Sequence, residues 1–173
     1  MSPKARMAFW VLLIVGGLAA GVWLDLRLFP GIFSSPAWHL FSLTLGLPLL
    51  QLVRRAAATT GRTLARYGRE GDLPRFETNK LVRQGPYACM RHPMHLALLF
   101  FPLALGLIVG SLGFVLFVWP LEVLLMLILI KTVEEKEALA KFGDAYRRYM
   151  EEVPAFNLSP ACLVRLLRDP PVS

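Results

Sequence analysis

Long apolar stretches alternate with short polar ones along most of this chain, and the pattern changes character near residue 131. Four apolar blocks stand out, over about residues 7–24, 36–53, 93–109 and 112–130. Each is close to the roughly 17–25 residues that an α-helix needs to cross a hydrocarbon core of about 30 Å. No segment alternates with a period of two, so no strand is expected. After Ile130, Leu139, Phe142, Tyr146, Tyr149 and Val153 recur at helical spacing with charges between them. That pattern predicts an amphipathic helix over about 134–152, lying against the membrane or the preceding loop. Pro160 to Arg168 reads as a second, short interfacial helix. The least apolar stretch, 54–91, is punctuated by Gly68, Gly71, Pro74, Gly85 and Pro86, which exclude one continuous helix. The predicted fold class is all-α: a single-domain integral membrane bundle of about four transmembrane helices with a cytoplasmic amphipathic C-terminal helix.

Composition agrees with that pattern. The 173 residues are 55% hydrophobic, more than a soluble domain of this size needs for its core. The net charge of +7 raises the question of nucleic acid, but the basic residues flank apolar blocks and do not interleave with aromatics as in single-strand binders. No nucleic-acid partner is expected. Eighteen of the nineteen Lys and Arg residues fall on one side of a four-span arrangement, Arg27 being the exception. The positive-inside rule then puts both termini and the central loop in the cytoplasm. Lys4 and Arg6 give the first block a signal-peptide-like start, but no small-residue cleavage site precedes Asp25, and the block reads as a retained span.

Several residues have structural readings. Gly17 and Gly21, and Gly106 and Gly110, have the four-residue spacing that lets helix backbones approach closely. Gly16, Gly17 and Gly21 do not form a dinucleotide-binding loop, because they follow no strand and miss the G-x-G-x-x-G spacing. Cys89 and Cys162 lack C-x-x-C spacing and are expected to be free thiols in reducing surroundings. His39, His92 and His95 include no H-E-x-x-H, so no metal site is expected. Trp38 and His39 suit the outer interface, and Tyr146 and Tyr149 suit packing. Glu122, in mid-span beside Pro120, has two open readings: a protonated carboxyl bonded to freed backbone, or a residue lining a lipid channel.

Two segments are too specific for membrane filler. One runs Leu81-Val82-Arg83-Gln84-Gly85-Pro86-Tyr87 and continues to Arg91-His92-Pro93-Met94-His95, at the start of the third block. The other is Glu134-Glu135 at the end of the fourth block, followed by Phe142-Gly143, Tyr146, Tyr149, Val153-Pro154 and Phe156. A hairpin turning at Gly110-Ser111 brings the start of one helix beside the end of the next. Arg91 and His92 should therefore meet Glu134 and Glu135 at the membrane boundary.

In this ordered set the chain resembles the isoprenylcysteine carboxyl methyltransferase and phospholipid methyltransferase superfamily, over about Leu81 to Phe156. The resemblance implies an integral membrane enzyme that uses S-adenosyl-L-methionine. It implies cofactor contacts from Val82, Gly85, Tyr87, His92, His95 and Glu134, and it puts Arg91 and Glu135 nearest the chemistry. His95 and Ala97 stand where the family usually has tyrosine and glycine, which points to a different contact or acceptor. The E-E to V-P half fits the isoprenylcysteine carboxyl type best. The alternatives are N-methylation of an amino phospholipid, S-methylation of a small thiol and, outside enzymes, a membrane scaffold or permease.

Physical chemistry is consistent with methyl transfer. The protein must mainly align donor and acceptor, an effect worth about 7–11 kcal/mol. A carboxylate acceptor needs only a cation such as Arg91 to orient it, whereas an amine must first lose a proton to His92, His95 or a glutamate. A lipid or lipid-linked partner would reach such a site sideways, from within the membrane.

Overall fold

The computed structural model describes residues 3–72 and 78–168, with side chains from Ala8 onward. Pro74 and the side chains of Lys4 and Arg6 lie outside the described residues. Helices and turns account for the structure, with no strand among the described residues. Three helical stretches are long and apolar enough to cross a membrane: Ala8–Leu28, Pro36–Tyr67 and Phe114–Phe142. A fourth apolar helix, Pro93–Val109, has 17 residues.

In chain order the elements are α1 (Pro3–Leu28), a single turn α2 (Pro30–Phe33), α3 (Pro36–Tyr67), a 3₁₀ turn (Gly85–Ala88) and α4 (Pro93–Val109). A π turn (Phe114–Val118) leads into α5 (Trp119–Leu129), and a second π turn (Ile130–Glu134) leads into α6 (Glu135–Phe142). Helices α7 (Asp144–Glu152) and α8 (Pro160–Leu167) follow. Prolines set several starts, since a missing N–H at the first helical position costs nothing: Pro30, Pro36, Pro93 and Pro160 each open a helix.

The chain divides into two compact units, each built from two separate stretches: Met1–Gln51 with Leu99–Ile128, and Leu52–Leu98 with Leu129–Ser173. The first unit packs through glycine. A methyl group on Gly21 would lie 2.8 Å from the Cα of Phe114, and one on Gly17 would lie 2.5 Å from a carboxylate oxygen of Glu122. Asp25, fully buried, accepts the Gly113 N–H at 2.6 Å. Helix α4 ends in a Schellman motif, with Ser111 N–H bonded to Gly106 O and Gly110 N–H to Leu107 O. Gly110 has φ +75°, and the Trp38 indole donates to its carbonyl at 2.8 Å. His39 Nε2 lies 2.6 Å from Phe33 O. Trp38 and His39 thus fasten turns within the unit, a role their interfacial character does not reveal.

The second unit departs from expectation in three places. Helix α3 continues to Tyr67, so the first part of the expected 54–91 loop is helical. The amphipathic segment is two helices, because Gly143 adopts φ +54° and ψ −131° between α6 and α7, a conformation open only to glycine. Cys89 and Cys162, expected as free thiols, form a disulfide with Cα atoms 5.9 Å apart across 73 residues of chain. Closing a loop of that length removes about 4 kcal/mol of denatured-state entropy in the chain-entropy picture. The core here is tyrosine-rich: Tyr146, Tyr149 and Val153 are buried, with Leu81, Leu139, Phe142 and Met150 packed around them.

Candidate functional site

In the second unit, Arg91 and His92 both meet Glu135. Arg91 Nη2 donates to Glu135 Oε1 at 2.5 Å, and both side chains are largely buried, at 9% and 14% exposure. His92 Nε2 approaches the same oxygen at 3.3 Å. Arg91 lies in the short connection between the Gly85–Ala88 turn and α4, and Glu135 opens α6 directly after the π turn. Widened turns of that kind recur at functional sites, where they re-aim the residues that follow. The sequence places Arg91 and His92 opposite the glutamate pair, and the structure brings them into contact with Glu135.

Arg91 is more fully engaged than a residue waiting for a ligand. Its Nη1 donates to Val153 O at 2.5 Å and to Met150 O at 3.2 Å. Its Nε is buried and has no hydrogen-bond partner among the described residues. The backbone is tied in the same direction: Arg91 N–H bonds to Pro154 O at 2.9 Å and His92 N–H to Ala155 O at 3.1 Å. The V-P segment after α7 therefore supplies carbonyls that hold both the side chain and the backbone of the R-H-P segment.

Tyr149 closes the arrangement. Its hydroxyl, fully buried, bonds to Tyr87 O at 2.5 Å and lies 3.4 Å from Met90 O. Burial, with Tyr146 alongside, pushes this hydroxyl above the usual phenol range, so it remains a donor. Tyr87 is likewise buried and raised. Arg83 stacks on the Tyr149 ring and pairs with Glu152.

His92 has an aromatic neighbourhood. Its ring centroid lies 5.4 Å from that of His95 and 6.1 Å from that of Phe156. Burial holds the imidazole below its ordinary value, although the Glu135 carboxylate pulls it back up.

Val82 and Gly85 lie before the R-H-P segment in the chain, and Glu134 lies beside Glu135. Val82 is buried, and a methyl group on Gly68 would approach its Cγ2 to 3.1 Å. Gly85, at φ +58°, opens the 3₁₀ turn against Thr63 of α3, to which an added methyl would come within 3.5 Å. Glu134, half-buried, closes the π turn one residue before Glu135. Contacts invisible to sequence reasoning are the carbonyls of Met150, Val153, Pro154 and Ala155, and the role of Tyr149. Backbone acceptors carry no residue signature, and Tyr149 looks like any packing tyrosine on an amphipathic face.

The residues present suit a sulfonium-bearing cofactor. The Glu135 carboxylate lies 3.3 Å from the His92 ring, and the His95 and Phe156 rings pack beside that ring, a carboxylate and aromatic surroundings of the kind a cationic cofactor needs. No curated protein and no solved structure matches the chain. The family model described as phospholipid methyltransferase matches residues 41–145, a stretch that holds most of α3, the R-H-P segment, the α4–α5 hairpin and both glutamates. That match covers more than half of the sequence, and the chain belongs to the phospholipid methyltransferase family.

Proposed function

We propose that this integral membrane protein transfers a methyl group from S-adenosyl-L-methionine to an amine carried by a membrane lipid, with the site on the cytoplasmic side. The observation that carries the amine reading is the state of Arg91. Glu135, Met150 and Val153 already engage its guanidinium, so it acts as a strut and does not offer a fork to an acceptor carboxylate. That weighs against the carboxyl O-methylation favoured by the E-E to V-P half of the sequence.

The cofactor, when bound, supplies an electrophilic methyl group on a positively charged sulfur. Val82, Gly85, Tyr87, His92, His95 and Glu134 are the residues assigned to hold it. Arg91 keeps Glu135 ionised and fixed in place. Glu135, by bonding to Nε2 of His92, orients the imidazole so that Nδ1 keeps its lone pair, the arrangement a general base requires. An ammonium acceptor gives its proton to that imidazole, and the freed amine attacks. The buried surroundings keep water from competing.

Cofactor binding is tested by calorimetry with S-adenosylhomocysteine, using protein in lipid nanodiscs. His92→Ala and Glu134→Ala should each weaken binding about tenfold, the loss of one good polar contact. Absence of binding to the wild type would remove the cofactor reading. The acceptor is tested by supplying methyl-labelled cofactor with an amino phospholipid, a prenylated peptide carboxylate or a small thiol. Label should enter the amino phospholipid. The rate should climb with pH through a group titrating below the ordinary imidazole value, because His92 must lose its proton to act and burial lowers its affinity for one. Label in the prenylated peptide, with a flat profile across neutral pH, would restore the carboxylate reading.

A further inference from the structure

The Cys89–Cys162 bond is absorbed neither by the family match nor by the chemistry above. Cys162 lies outside the matched residues 41–145. Cys89 lies in the segment that joins the Gly85–Ala88 turn to Arg91, between Tyr87 and the ion pair. The bond fastens α8, a helix of eight residues, directly onto that segment. Cys162 and Leu166 point inward from α8, whereas Val164, Arg165 and Leu167 are exposed. Among the described residues, Cys162 and Leu166 are the buried side chains of α8.

We propose that Cys89 and Cys162 are a reversible thiol–disulfide site that sets how firmly the Gly85–His92 segment is held, and hence how well the site takes its cofactor; this rests on the methyltransferase reading and on a cytoplasmic location for the unit. One general rule and two observations support reversibility. Cytoplasmic thiols are normally kept reduced, so a disulfide there is characteristically regulatory or transient. The two sulfurs differ in access: Cys89 is half-buried, whereas Cys162 is 1% exposed. A thiolate attacking from solvent therefore meets Cys89 first. The reduced state also has a place to go, since Cys89 Sγ lies 3.4 Å from Pro86 O, an acceptor for the S–H.

The exchange balances with glutathione as co-reactant. A glutathione thiolate attacks Cys89 Sγ, the S–S bond breaks, and Cys162 leaves as a thiolate that takes up a proton. A second glutathione displaces the first from Cys89, so two glutathiones are oxidised to glutathione disulfide as the protein gains two thiols. Oxidation runs the same steps backwards. In the reduced form the segment keeps its ties to Tyr149, Pro154 and Ala155 but loses the covalent one to α8.

The test uses the full chain in nanodiscs, equilibrated across a series of reduced and oxidised glutathione. Thiols are trapped with a maleimide–polyethylene glycol and counted by gel shift, while hydrogen exchange follows the Arg91 and His92 amides. Two thiols should appear together within the glutathione series, and both amides should exchange about tenfold faster once they do, as expected for loss of a local restraint. Cys162→Ser should exchange at the reduced rate in every buffer. The wild-type series needs no variant to fold, and it decides the matter alone. A bond that resists the whole series, thiols that never pair, or amide rates equal in both states would each overturn the proposal. S-adenosylhomocysteine affinity should fall about fivefold on reduction. If neither form binds it, the cofactor reading fails, whereas thiol counts and exchange rates still decide the clamp.

Discussion

The two units bury carboxylates by opposite means. In the first, Glu122 is 6% exposed and neither oxygen has a partner among the described residues. Asp25 has one oxygen on the Gly113 N–H and the other without a partner. Around them the unit is apolar and presents Leu12, Leu40 and Leu121 outward, as a surface in contact with lipid would. In the second unit Glu135 meets both Arg91 and His92, and Arg91 is held in turn by two carbonyls. One residue type, glutamate, is thus an isolated polar group in one unit and the centre of a network in the other. An isolated group can be neutralised or replaced without orphaning anything, but the centre of a network cannot.

The largest expected effect follows from that contrast. Glu135→Ala would leave the Arg91 guanidinium buried without its counter-charge, a change that typically costs about 3–5 kcal/mol. Glu122→Met, close in volume and lacking any polar atom to leave unpaired, should be neutral or stabilising. Thermal unfolding of the two variants in one lipid composition measures the difference. Equal losses would mean that Glu122 has an essential partner and that the contrast between the units is false.

How much of this is legible in the sequence depends on what kind of group carries each feature. The spans are legible because apolar side chains mark them, and the turn after α4 because Gly110 does. The end of α3 is not, since Arg54, Arg55 and Arg62 only make a helix polar and nothing before Gly68 stops it. The amphipathic repeat runs unbroken through Gly143, which hides the backbone reversal there. Arg91 and Glu135 are legible as opposites brought together by a hairpin. The carbonyls that fix Arg91 are not, nor is a disulfide joining cysteines 73 residues apart.

The glycine packing of the first unit allows a sharper, smaller test. Gly16 and Gly21 share one helix, and an added methyl meets nothing within 4 Å at Gly16 but the Phe114 backbone at Gly21. Gly21→Ala should cost about 1–3 kcal/mol, because the backbone cannot give way as a side chain would. Gly16→Ala should be neutral, or stabilising by up to about 1 kcal/mol from helix propensity. If both cost the same, α1 does not approach Phe114 as closely as the structure has it.

The smallest effect isolates one bond of the network in the second unit. Tyr149→Phe keeps the ring that packs on Tyr146 and Arg83 and removes only the hydroxyl bonded to Tyr87 O. That carbonyl is left buried without its donor, a loss of about 1–2 kcal/mol in stability. If the hydroxyl does no more than stabilise, cofactor affinity measured well below the unfolding temperature will be unchanged. If it also fixes the Gly85–Arg91 segment, S-adenosylhomocysteine affinity will fall by more than the stability loss explains, while Glu152→Gln, which weakens only the exposed pair with Arg83, will leave it intact. The second outcome would extend the contrast between the units from stability to binding, with polar ties in one of them setting the shape of the site.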